Sequence, residues 1–174
     1  METRPKLNIF LSLLHKKIEF ISYVLLTLLW ILTSVTYYDL PDTIPIHYNA
    51  SGVPDNFGSK SSIFILTIIG TILFWLLTTL HKLPHIFYRK TVVSGENAEK
   101  QYSSALRIIR LLKLAIVIIF ILIIMFTYLT ATGKTKELGV WFLPFIFCLT
   151  LTPTVFYILK ALKKNNDGNY VRKK

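Results

Sequence analysis

Residues 111–129 read LLKLAIVIIFILIIMFTYL, nineteen positions with Lys113 as the sole charge. At 1.5 Å per residue such a run makes a helix about 30 Å long, the thickness of a bilayer's hydrocarbon core. The stretch predicts a transmembrane helix, and three more apolar blocks, residues 18–38, 63–80 and 140–159, predict others. The whole chain agrees: 53% of its 174 residues are hydrophobic, and they come in blocks instead of at amphipathic spacing. The expected fold is all-α, an integral membrane bundle of four transmembrane helices. Residues 18–162 form the membrane domain, flanked by a basic segment at 1–17 and a polar, disordered tail at 163–174.

The four runs differ in character. The first ends on Tyr37 and Tyr38, residues suited to the interfacial belt, and no small-x-small site follows, so it reads as a retained anchor and not a cleaved signal. The second holds Gly70 among Thr67 and Thr71, small enough to admit a neighbouring helix closely. The third belongs to a longer helix from about residue 96, introduced by Ser94, Glu96 and Glu99 after a basic turn at 81–93. Its first turns, with Lys100, Tyr102, Arg107 and Arg110, are expected to project beyond the membrane. A turn at 132–136 leads to the fourth, where Pro144 and Pro153 predict a kink that Thr150 or Thr152 partly compensates. Before the first span, Leu7, Phe10, Leu11 and Leu14 share one side of a helix, consistent with a short interfacial helix or with a basic flank that orients the next segment.

The net charge of +11 does not point to nucleic acid, because the basic residues flank apolar blocks and form no face with interleaved aromatics. They instead set orientation. Counted on alternate sides of the four spans, Lys and Arg divide seventeen against three. The positive-inside rule then puts both termini and the 81–110 region in the cytoplasm, with residues 40–60 outside. Cys148, the only cysteine, allows no disulfide within the chain.

Chemistry is scarce in the spans, which carry no Asp, Glu, Lys, Arg or His away from their ends. That disfavours transport through an intramembrane charge. Phosphate-loop, zinc-protease and serine-hydrolase motifs do not occur, so no catalytic residue is assigned and the expectation is a protein that is not an enzyme. No cofactor is expected. What remains is residues 40–60, LPDTIPIHYNASGVPDNFGSK, expected as an irregular loop. Pro41, Pro45 and Pro54 fix φ, Gly52 and Gly58 permit positive φ, and His47, Asn49, Asp55 and Lys60 are the candidate binding residues. In the extended run 44–49, Ile44, Ile46 and Tyr48 face the bundle or membrane surface while His47 and Asn49 face away. A return through residues 50–52 brings Asp55 opposite His47, where a carboxylate would orient the imidazole. An acid–base pair, a metal pair, a pH-sensitive latch and a purely structural turn are all consistent with that pairing.

The spacing Pro41, Pro45, His47-Tyr48-Asn49, Gly52, Pro54-Asp55, Phe57-Gly58, Lys60 resembles the signature of the domain-of-unknown-function family 1648, found in bacterial membrane proteins that include the SdpI-like immunity proteins. The resemblance implies a motif placed between a first and a second transmembrane helix in a bacterial envelope protein. It further implies protection against a secreted peptide toxin, with signalling of its presence. The four spans here are fewer than those immunity proteins carry. Three classes of function stay open: recognition of an envelope factor, toxin or membrane partner by the outer loop; a small membrane-embedded enzyme or metal-dependent protein using His47 and Asp55; and a structural assembly partner.

Overall fold

The computed structural model describes residues 13–80 and 95–171. In chain order these form α1 (Leu13–Asp39), β1 (Thr43–Tyr48), β2 (Pro54–Ser59), α2 (Ser62–Leu80), α3 (Gly95–Ala131) and α4 (Phe142–Val171). The expected N-terminal segment before Leu13, the basic turn and Ser94 lie outside the described residues.

Three helices are long and apolar enough to cross a membrane, over His15–Asp39, Ser62–Leu80 and Leu106–Ala131. The described apolar part of α4, Phe142–Phe156, is shorter. Lipid-type sorting of side chains is plain in α1 and α2. Val24, Leu28, Ile31 and Val35 point outward, as do Ile65, Ile68, Ile69 and Ile72, while Ser22, Thr33, Thr36, Thr67 and Thr78 are buried. A water-soluble helix shows the opposite arrangement.

Helix α3 is the centre, packed against α1, α2, α4 and strand β1. Leu26, Leu29, Phe74, Val117 and Ile124 form its apolar core with Leu40, Ile44 and Ile63 at the hairpin end. Gly70 faces α3 closely, since a Cβ there would meet the Phe120 ring at 3.0 Å. Between α1 and α2, the Thr33 and Thr67 hydroxyls bond at 2.6 Å and the Trp30 indole donates to Thr71 Oγ1 at 3.1 Å.

The helix ends explain several departures from expectation. Helix α3 stops in a Schellman turn: Gly133 has φ 73°, its N–H bonds the Thr130 carbonyl at 3.1 Å, and Lys134 N–H bonds that of Leu129 at 2.8 Å. Helix α4 starts at Phe142, so Pro144 falls in its first turn, where the amide would have no intrahelical partner anyway; only Pro153 interrupts the ladder. Thr150 Oγ1 bonds the carbonyls of Ile146 and Phe147, not that of Leu149, which Pro153 leaves open. The tail expected to be disordered from residue 163 continues α4 as far as Val171.

Candidate functional site

The loop between α1 and α2 is an antiparallel hairpin, not the irregular segment its prolines and glycines suggested. Thr43, Ile44, Ile46 and Tyr48 favour a pleated strand, and a two-stranded hairpin leaves each strand one unpaired edge on which proline costs nothing. Thr43 pairs with Ser59, Ile44 with Gly58 and Pro45 with Phe57, after which His47 pairs with Asn56 and Tyr48 with Pro54. Ile46 and Asp55 are therefore each an extra residue, one per strand, and the two bulges compensate. This breaks the expected alternation: Ile44 is buried and Tyr48 half-buried, but Ile46 is exposed.

Across the two bulges the carboxylate of Asp55 stays against His47, with Nδ1 and Oδ1 2.5 Å apart. The carboxylate accepts, so Nδ1 carries the proton and Nε2 is left facing solvent. Both side chains are exposed.

The other two candidate binding residues do not join this pair. Asn49 Oδ1 accepts the amides of Ser51 at 2.9 Å and Val53 at 3.1 Å, so its side chain holds the turn. Lys60 lies at the hairpin's base, its Nζ 3.1 Å from Asp42 Oδ1 and above the Tyr37 ring, while its amide bonds the Asp42 carbonyl. Five residues of strand, about 16 Å, separate it from Asp55.

Of the scaffold positions, Pro45 and Gly52 are buried, Pro54 and Gly58 half-buried and Pro41 exposed. Gly52 has φ 82°, and a Cβ on it would lie 2.8 Å from the backbone of Gly139. Its carbonyl accepts the Leu138 amide at 2.9 Å, which ties the hairpin turn to the loop between α3 and α4. Tyr48 reaches Thr127 of α3 through its hydroxyl at 3.4 Å. Burial raises the Tyr48 phenol above its ordinary pKa, against the opposing effect of hydrogen bonds with Thr127 and Thr130. The hairpin is thus seated on α3 along one side, and Ile46, Val53 and Phe57 of the same hairpin are exposed, like the His47–Asp55 pair. No cluster of three or more His, Cys, Asp or Glu converges among the described residues.

A second polar group escaped the sequence reading. Arg107 and Arg110, expected to project beyond the membrane, pack on α1, and Lys113 is buried against Glu19. The available signal was positional: His15 and Glu19 are one turn apart near the start of the first span, and Arg107, Arg110 and Lys113 follow at intervals of three near the start of the third.

The family model described as "Domain of unknown function (DUF1648)" matches residues 24–71, from within α1 through the hairpin into α2. An "Uncharacterized protein" of Archaeoglobus fulgidus is 38% identical over 52 residues, covering 30% of this chain and 28% of the relative. The chain thus spans little more than a quarter of that relative's length. No solved structure matches the chain.

Proposed function

We propose that the protein is a multi-span protein of a bacterial cytoplasmic membrane that recognises an extracellular or envelope factor through its hairpin. In this reading α4 is a fourth span, both termini are cytoplasmic and the hairpin lies outside, as the uneven distribution of Lys and Arg favours. The resemblance to SdpI-like immunity proteins makes a peptide toxin, or its sensing, the leading choice of factor.

The carrying observation is a contrast within one hairpin. One side is fixed to α3 and to the following loop, while the imidazole and carboxylate are 65% and 43% exposed on a constrained backbone. A site preorganised in this way loses little entropy on binding, and Ile46, Val53 and Phe57 offer apolar contact around a polar centre. An exposed polar pair of this kind is worth only about 0–1 kcal/mol to folding, so it has little value as scaffolding.

Replacing His47 or Asp55 with Ala is expected to abolish a protective or signalling phenotype in the native host while thermal unfolding in detergent changes by less than about 1 kcal/mol. Unchanged phenotype in both variants would remove the hairpin as the functional centre. The solvent-facing Nε2 favours a second reading, hydrolytic or metal-assisted chemistry at His47. A metal-dependent activity of the purified protein, lost in His47→Ala with no partner present, would establish that reading instead.

A further inference from the structure

Helices α1 and α3 run parallel, with Tyr48 following α1 bonded near the end of α3 and a buried charge cluster joining the beginnings of their apolar spans. Lys113 Nζ contacts Glu19 Oε1 and lies 3.4 Å from Thr78 Oγ1, enclosed by the rings of Tyr23 and Phe74. Arg110 Nε is 3.5 Å from Glu19 Oε2, an ion-pair distance without a formed hydrogen bond. One carboxylate therefore faces two cations that are each at least nine-tenths buried. Beside them Arg107 Nε donates to His15 Nε2 at 3.1 Å.

That last bond fixes the imidazole. Because Nε2 accepts, the proton sits on Nδ1, which is buried with no partner among the described residues. Arg110 Nε, apart from its ion pair with Glu19, and one terminal nitrogen are likewise buried without a hydrogen-bond partner among the described residues. Among the described residues the unsatisfied atoms are donors, with Glu19 Oε2 the one exception, and the Arg110 and Lys113 cations share that single carboxylate. Buried donors left this way cost about 1–3 kcal/mol each, more when charged. Among the described residues, no carboxylate besides Glu19 contacts Arg110 or Lys113.

The depth indicates what does. Glu19 precedes Asp39 by twenty residues, about 30 Å of helix, so the cluster lies one hydrocarbon thickness from the hairpin, at headgroup level in the opposite leaflet. The Glu19 side chain is 24% exposed, leaving the cluster open on that side.

We propose that this cluster binds a phosphate group, with Arg110 and His15 Nδ1 as the principal donors and the Lys113–Glu19 pair as their anchor. The planar guanidinium fork matches phosphate oxygens, whereas Lys113 is already engaged by Glu19. An anionic phospholipid headgroup or free phosphate would supply the same chemistry.

The test uses the full chain reconstituted in nanodiscs of phosphatidylcholine with and without phosphatidylglycerol, followed by native mass spectrometry of retained lipid. Thermal unfolding in detergent with and without inorganic phosphate provides the second arm. Wild type is expected to retain phosphatidylglycerol about tenfold over phosphatidylcholine, as one charge-assisted contact predicts, and Arg110→Gln to lose that preference. Arg110→Lys, which keeps the charge but not the fork, should lose most of it, and carries the comparison if Arg110→Gln fails to fold. Stabilisation by inorganic phosphate in wild type, reduced in the variants and without lipid preference, would assign the site to the free anion. Wild type that shows neither response overturns the proposal. So does an unchanged preference in folded variants.

Discussion

In the register set by Thr43–Ser59, Ile44–Gly58 and Pro45–Phe57, His47 would stand opposite Asp55; the bulge at Ile46 passes that place to Asn56, yet the Asp55 carboxylate still reaches the imidazole. That meeting was legible in the sequence, since a proline- and glycine-marked reversal leaves few ways for the chain to return. The roles of Asn49 and Lys60 were not legible. An Asn amide suits a ligand and a turn equally, and only the backbone geometry shows Asn49 bonding Ser51 and Val53. Gly52 is the residue on which seating of the hairpin depends. Gly52→Ala would force a side chain to φ 82° and press its Cβ on the Gly139 backbone at 2.8 Å. The expected cost is about 1–3 kcal/mol, read as a lowered melting temperature, with faster amide exchange at Leu138. A variant that melts and exchanges like wild type would show that the turn is not held there.

At the scale of the elements, the three long apolar helices were readable from hydropathy alone, and the hairpin was partly hidden by its bulges. A strand whose period of two is interrupted at Ile46 gives no sustained alternation to detect. The charge cluster was hidden for a different reason. A hydropathy window records that Lys113 stands near a span's end, but it does not distinguish a side chain that reaches water from one packed on the neighbouring helix, and Lys113 is only 1% exposed. Small residues were the reliable sign, with Gly70 placed against Phe120. Two substitutions in α2 separate its interfaces. Thr67→Val, which removes the bond to Thr33, should cost about 0.6 kcal/mol, the average for hydrogen bonds between membrane helices. Gly70→Leu, which drives a branched side chain into the Phe120 ring, should cost about 1–3 kcal/mol. Unfolding of both variants in detergent tests the order; a larger loss from Thr67→Val would make α1, not α3, the main support of α2.

For the whole molecule, the proposed topology makes a direct prediction. In a Cys148→Ser background, a membrane-impermeant thiol reagent applied to intact cells should label Ser51→Cys and Lys134→Cys but not Gly95→Cys or Gly168→Cys. The reverse pattern would invert the orientation, and labelling at 168 together with 51 would leave three spans in place of four. The Gly52–Leu138 bond, the Tyr48 hydroxyl on Thr127 and the fit of Gly70 to Phe120 share one property: each joins residues 24–71 to a part of the chain beyond them. The stretch similar to the family is therefore no portable module. Grafted between two helices of a foreign protein it would lack the platform that α3 and residues 132–141 provide here.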